Sequence, residues 1–270
     1  MPKDAEVAGP VAMVTGSSSG IGEAIAWRFA KLGYRTLLHG GANAEKLQQL
    51  SDRFAEDGLV HQALLFDLGN SGDVDRFVDD AWSRFGRVDV LVNNAGVDLV
   101  TQDTQLSLDE KLGKLIDVDV QSTMLLSLKV GERMREVSRE SNASNGHFSI
   151  CNIGWDQAYQ GMAGESGVLF STSKGAIMSM TKSLAQSLAP EVRVNCVAPG
   201  WIQTKWGVGA SDYWQSRAKA ESLMDRWGTP EDVANMVGFL SGAEASFVSG
   251  QVINVNGGFR YNRDSSNLDA

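Results

Sequence analysis

A 270-residue chain that is 43% hydrophobic and 21% charged can bury one large core. Its net charge of −9 argues against nucleic acid or an anionic membrane as partner. No apolar run approaches the ~20 residues that span a bilayer, and residues 1–10 lack an apolar signal core, so the expected setting is the cytoplasm. Cys151 and Cys196 sit in apolar strand-like runs and read as buried, reduced thiols. His39, His61 and His147 have no metal-ligand spacing, and no metal is expected.

Strand-like and helix-like segments alternate along the chain. Residues 11–15 read as an apolar strand. Ile21, Ala24, Ile25, Phe29 and Leu32 then recur at helical spacing, giving a helix over 20–32 that Gly33 stops. Further strands are predicted at 35–39, 60–66, 88–92, 148–153, 192–197 and 251–255. Helices are predicted at 44–57, 72–85, 106–141 with a break near Asp117, 168–189, 211–225 and 231–240. Thr229-Pro230-Glu231 opens the last helix with an N-cap and a proline at the first helical position. Such repetition with short links predicts a parallel sheet covered by helices on both faces. The expected class is an α/β three-layer sandwich of the Rossmann type, in one domain over 11–261. An N-terminal extension (1–10) and a polar tail (262–270) flank it.

Between the first strand and the first helix stands Thr15-Gly16-Ser17-Ser18-Ser19-Gly20-Ile21-Gly22. Glycines in that place allow a tight turn and close backbone approach to a pyrophosphate. The helix N-terminus adds free N–H groups and a positive dipole end. Gly16, Ser18, Ser19, Gly20, Ile21 and Gly22 are therefore the candidate pyrophosphate contacts. Other distinctive segments fall at later strand ends, the edge where open α/β sheets bind ligands. Asp67-Leu68 follows the third strand, where a carboxylate can reach an adenine amino group. Asn93-Asn94-Ala95-Gly96 follows the fourth, Pro199-Gly200 the sixth, and Asn254-Val255-Asn256-Gly257-Gly258 the last.

With these segments in hand, the chain resembles the short-chain dehydrogenase/reductase family from Val11 to about Gly258. The resemblance rests on the TGxxxGIG turn, the NNAG segment, Lys174, the stretch Asn195–Gly200 and Arg226-Trp227-Gly228-Thr229-Pro230-Glu231-Asp232-Val233-Ala234. It implies a seven-stranded Rossmann domain and a nicotinamide dinucleotide. Asn93, Ala95 and Gly96 would line the adenosine ribose side. Pro199, Gly200, Ile202 and Thr204 would lie near the nicotinamide, and Lys174 would hold its ribose. The second strand ends in Leu38-His39-Gly40-Gly41, without the acid that binds a ribose 2′-hydroxyl and without an arginine for a 2′-phosphate. NADP or NAD remain possible, with a lean to NADP.

The family's chemistry, as the resemblance implies it, uses a serine, a tyrosine and a lysine, with an asparagine supporting a water relay. The lysine ammonium lowers the phenol pKa from about 10 toward the working pH. Lys174 is kept, but Phe170 stands four residues before it. Gly154 or Trp155 occupies the serine's place, and Asp119 that of the asparagine. Two substitutes are open. Tyr159 can bring a phenol from the loop after the fifth strand, or it is only a loop residue. Asp119 or Asp156 can serve as a carboxyl acid, or the first pairs with Lys174 and the second caps a turn.

Four of the seven tryptophans lie between 201 and 227. The resemblance makes 201–226 a substrate lid. Trp201, Trp206, Tyr213 and Trp214, with Trp155 and Phe170 opposite, suit an apolar or aromatic small molecule. The other reading is that the rings pack the lid down, and Trp227 reads as structural. Gly207 and Gly209 are expected to let the lid move. Gly175, Ala176, Ser179 and Ala185 permit close helix packing, and the family implies a homodimer or homotetramer. Two functions follow: an oxidoreductase with altered proton transfer acting on a cyclic ketone, alcohol or conjugated enone, or a silent cofactor-binding subunit.

Overall fold

In the computed structural model, which describes residues 9–99, 105–141 and 146–260, seven parallel strands form one sheet. Most of the expected N-terminal extension and the expected tail lie outside the described residues. The elements in chain order are β1 (Val11–Val14), α1 (Gly20–Lys31), β2 (Arg35–Gly40), α2 (Ala44–Glu56), β3 (His61–Leu65), α3 (Val74–Phe85), β4 (Val90–Asn93), α4 (Leu108–Leu115), α5 (Ser122–Ser141), β5 (Phe148–Ile153), α6 (Gln157–Gln160), α7 (Glu165–Leu188), β6 (Val192–Pro199), α8 (Lys205–Gly209), α9 (Asp212–Glu221), α10 (Pro230–Ser241) and β7 (Val252–Val255). The strand order is β3-β2-β1-β4-β5-β6-β7, every pair parallel. The order reverses between β1 and β4, which makes the carboxyl ends of these two strands the natural ligand crevice.

Alternation along the strands feeds two large cores, with a small third cluster at Met178, Cys196 and Ala198. Val11 and Met13 join Phe77, Leu126, Met134 and Leu184 from α3, α5 and α7. Ala12 and Val14 join Ile25, Phe29, Leu50 and Val237 from α1, α2 and α10. Close packing of α5 on α7 depends on Gly131, where a Cβ would lie 2.6 Å from Leu188. This contact was not anticipated. Gly175, expected to serve close packing, has nothing within 4 Å of the corresponding position. Among the described residues no helix is long and apolar enough to cross a membrane.

Three expectations need correction. The long helix does not simply break near Asp117. It passes through a π-helical segment, Ile116–Gln121, whose extra residue re-aims the side chains there. The helix predicted over 211–225 stops at Glu221, followed by a turn in which Asp225 has φ 52°. The short helices α6 and α8, of four and five residues, were missed because they hold too few residues to show a period. The start of α10 is as expected, with Thr229 and Asp232 completing a reciprocal capping box behind Pro230.

Candidate active site

The glycine turn is clasped from two sides. Asn94, at the end of β4, donates its side-chain amide to the carbonyls of Thr15 and Gly16 at 3.0 and 3.1 Å. The Thr15 hydroxyl accepts from the backbone N–H groups of Asn94 and Ala95. From β2, the Ser17 hydroxyl accepts the His39 N–H at 2.8 Å. His39 Nδ1 accepts the Gly16 N–H at 3.0 Å, so its Nε2–H donates to the Phe66 carbonyl. Sequence reasoning passed over His39 because a lone histidine has no spacing signature. It buckles the turn to the ends of β2 and β3.

These clasps leave no room for a Cβ at Gly16 or Gly22. A Cβ on Gly22 would lie 2.3 Å from the Gly16 carbonyl oxygen and 2.4 Å from Asn94 Nδ2; one on Gly16 would lie 2.8 Å from the Ala95 Cα. Gly22→Ala should therefore lower stability by about 1–3 kcal/mol and abolish dinucleotide binding, read by thermal denaturation with and without NADPH. Native-like binding by that variant would show that the turn can relax. The turn also fits a pyrophosphate electrostatically. Ser19, the residue before α1, does not cap the helix with its side chain, so the first-turn N–H groups stay open to an anion. Ser18 is half-buried, Ser19 is exposed, and Ile21 packs against the second core.

The other predicted cofactor residues divide by what their side chains already do. The Asn93 side chain is buried and donates to Ser127 and Asn152, each at 2.9 Å. Asn152 in turn donates to Thr181. Both Asn93 amide N–H groups are therefore committed within the fold. Asp67 accepts the Gly69 N–H and so shapes its own turn, while Leu68 is buried in the first core. Thr204 lies against the glycine turn, its methyl 3.7 Å from the Cβ position of Gly20. Ile202 is buried and bridges to Gly228. Gly200 follows Pro199 at the end of β6 and packs on Asn256 and Asp156. Among the described residues no cluster of His, Cys, Asp or Glu is arranged to hold a metal. Both cysteines are buried, and burial pushes the Cys196 thiol up to about 12.

Lys174 on α7 and Asp119 in the π-helical segment form an ion pair at 2.9 Å. Asp119 is 1% exposed, and its second oxygen accepts the Val97 N–H at 2.9 Å. Gly96 makes space for it, since a Cβ there would lie 3.1 Å from both carboxylate oxygens. The NNAG segment, the π turn and α7 therefore meet at one buried charge pair. Of the two open readings for Asp119, the geometry favours the ion pair. Phe170, one helical turn before Lys174, meets Trp155 edge to face with ring centroids 5.7 Å apart. Tyr159 stands on α6 with 62% of its surface exposed, and the structure does not bring its phenol to Lys174.

Asp156 is buried against Asn256, which donates to it at 2.9 Å, and its other oxygen has no partner. It sits before α6 without capping it by its side chain. Burial pushes its carboxyl up to about 6, only partly opposed by Asn256 and backbone N–H groups, and Glu221 adds to the rise. Burial likewise holds His39 down to about 4. The two groups oppose each other in acid. Above about pH 6 the folded Asp156 carboxylate carries a desolvation cost that falls away as the pH drops toward 4. His39 stays neutral in the fold while the unfolded chain takes up a proton near 6.5, so its contribution is lost over the same fall. Asp156→Asn should raise stability near neutral pH by about 1–3 kcal/mol and make the acid-side decline steeper than in the wild type. Denaturant unfolding between pH 4 and 8 checks this; parallel pH curves would show that Asp156 titrates normally.

The aromatics of residues 201–227 pack on one another. Trp201 stacks with Trp206 at 6.2 Å, and both contact Trp214 and Trp227. Tyr213 meets Trp214 edge to face and is itself exposed. Trp155 and Phe170 contact each other, and among the described residues no ring contact joins them to this cluster. Arg217 stacks over Trp201 and Trp214, and Glu221 joins Arg217 Nε and Trp201 Nε1, each at 2.7 Å. Neither Arg217 nor Glu221 was singled out in the sequence. Trp227 is buried, as its structural reading expected. Gly207 is buried, and a Cβ there would lie 3.0 Å from the Trp227 ring, whereas Gly209 is open.

Comparison with known proteins covers nearly the whole chain. Residues 16–260 match a family model described as enoyl-(acyl carrier protein) reductase. A Thauera aromatica protein, (2S)-((R)-hydroxy(phenyl)methyl)succinyl-CoA dehydrogenase subunit BbsD, is 34% identical over 92% of this chain and 95% of its own. The 3-oxoacyl-(acyl-carrier-protein) reductase FabG of Escherichia coli is 32% identical over 93% of this chain and 97% of its own. Among solved structures, a short-chain dehydrogenase/reductase mutant from Serratia marcescens superposes with a TM-score of 0.80 at 28% identity, covering 94% of this chain and 98% of that one.

Proposed function

Because the chain belongs to the short-chain dehydrogenase/reductase family of oxidoreductases, we propose that it is an NADP-preferring oxidoreductase with altered proton transfer, acting on an apolar cyclic ketone or alcohol or a conjugated enone. The observation that carries this reading is the glycine turn, clasped by Asn94 and His39 and left uncapped at α1, beside a retained Lys174. A bound nicotinamide dinucleotide supplies or accepts the hydride. The protein's part is to hold that molecule through the turn N–H groups and Thr204, and to present an apolar wall. Trp155 and Phe170 exclude water from the substrate carbonyl, and neither ring offers it a proton. The indoles of the lid favour a flat or ring-bearing substrate, and the phenyl group in the Thauera relative's name agrees with that preference.

With no phenol at 170, the proton in this reading comes from solvent or from Asp156, whose raised pKa keeps it partly protonated near neutrality. Lys174, held by Asp119, keeps its ammonium N–H groups in place as donors for the cofactor ribose. A second reading is that the chain is a silent cofactor-binding subunit. The same pair favours it, since Asp119 neutralises the ammonium that would otherwise activate a phenol. The assembly expected for either reading is a homodimer or homotetramer. The decisive experiment is titration of the purified protein with NADPH and NADH, followed by a panel of cyclic ketones and enones. Binding with turnover supports the first reading, and binding without turnover of any panel member supports the second. Absence of binding to either cofactor removes both.

A further inference from the structure

The end of β2 offers no means of telling NADP from NAD. Gly40 and Gly41 bring no side chain, and a Cβ on Gly40 would press on Leu47 at 3.2 Å. His39 is neutral and has both ring nitrogens engaged, so it neither attracts nor repels a phosphate. Any charge that reads a 2′-phosphate must come from another element.

Beside the glycine turn lies an open cavity of about 540 Å³ between α1 and α2. Ser18, Ser19, Lys46 and Lys205 line it, with Glu23 in the first turn of α1, and Asp52, Arg53 and Glu56 on α2. The charges there are not evenly spread. Glu23 is paired with Arg53 at 2.7 Å. Asp52 accepts from Gln48; it and Glu56 lie about 9 and 15 Å beyond Lys46 along α2, at 1.5 Å per residue. Lys46 stands in the first turn of α2, next to the ends of β2 and of the glycine turn. Among the described residues neither Lys46 nor Lys205 has an ion-pair partner. At the end facing the turn the acid, Glu23, is already held by Arg53, so Lys46 and Lys205 leave that hydroxyl-lined end cationic, while Asp52 and Glu56 lie at the far end.

We infer that Lys46, with the hydroxyls of Ser18 and Ser19, is the reader of the cofactor's 2′-phosphate in this protein and sets a preference for NADPH over NADH. The inference rests on the proposed cofactor binding and adds to it the residue that selects the cofactor. A terminal phosphate carries roughly −1.5 to −2 charge near neutral pH, and a charge-assisted contact to it has no counterpart in NADH. Lys46 is exposed and is not part of either core, so its replacement leaves the fold intact.

The test is binding, read by quenching of tryptophan fluorescence and, separately, by calorimetry with 2′,5′-ADP and 5′-ADP. Wild type should bind NADPH and 2′,5′-ADP more tightly than their partners lacking the 2′-phosphate. Lys46→Ala should weaken the phosphorylated ligands about 10-fold and leave NADH and 5′-ADP within about two-fold. Lys46→Arg should retain the preference. Equal weakening of both cofactors, or an NADPH preference that survives Lys46→Ala, overturns the inference while leaving the oxidoreductase reading in place. Wild type that binds NADH more tightly overturns the NADP preference and this role of Lys46 together. Wild type that binds neither cofactor overturns the proposed function as well.

Discussion

Asp119→Ala is expected to destabilise the protein by about 3–5 kcal/mol, because it leaves a mostly buried ammonium without its counter-charge. Lys174 has 12% of its side chain exposed and meets Asp119 at 2.9 Å. The same change removes the acceptor of the Val97 N–H and opens the space that Gly96 keeps clear. Asp119→Asn should cost less, since an amide oxygen can still accept from one of the two donors. Combining Asp119→Ala with Lys174→Met should recover part of the loss, because a buried pair replaced by apolar groups is often near neutral whereas half a pair is not. Guanidinium unfolding of the three variants checks the expectation. A loss below about 1 kcal/mol for Asp119→Ala would mean that water reaches Lys174 and screens it as at a surface.

The second large effect concerns activity. Phe170→Tyr alone should raise ketone reduction by less than about 10-fold, since in the proposed site Gly154 or Trp155 stands where a hydroxyl would hold the substrate oxygen. The double variant Trp155→Ser with Phe170→Tyr supplies a proton donor and an orienting hydroxyl together. It should raise turnover of a cyclic ketone by about 10² to 10⁴ over the wild type, the range typical of a positioned general acid. Adding Asp119→Asn should increase it further by freeing the Lys174 charge to lower the new phenol's pKa. The readout is cofactor oxidation at saturating NADPH, with binding measured beside it. A large gain from Phe170→Tyr alone would show that Trp155 is no obstacle. No gain from the double variant, with cofactor binding intact, would show that residue 170 does not face the reacting carbon.

The chain's own pattern carries much of this architecture. Near-continuous apolar runs of four to eight residues, separated by helices with a period near 3.6, leave few arrangements except a parallel sheet covered on both faces. Short connections then send every strand's carboxyl end to one edge, so the glycine turn, the NNAG segment and Pro199-Gly200 fall along a common edge of the sheet. Thr229-Pro230 marks the start of α10 because capping is a local event among neighbours in sequence. The missed pieces are those whose causes are not local. The π segment carries Asp119 to its contacts with Gly96 and Lys174, and helix periodicity carries no trace of partners so distant in sequence.

The same division runs through the site. That a glycine-rich turn follows β1, that Lys174 lies one helical turn after Phe170, and that residues 201–227 are rich in tryptophan are statements about order along the chain. Which of those residues are still free to act is decided by contacts between distant segments. Packing places His39 under the turn and draws its pKa down, commits the Asn93 amide to Ser127 and Asn152, closes four indoles on one another and leaves Tyr159 at the surface. Hydrogen bonds and charges act over a few ångströms in space, whatever the separation in sequence. A polar residue's identity therefore names its possible chemistry, and only its folded neighbours determine whether that chemistry remains available.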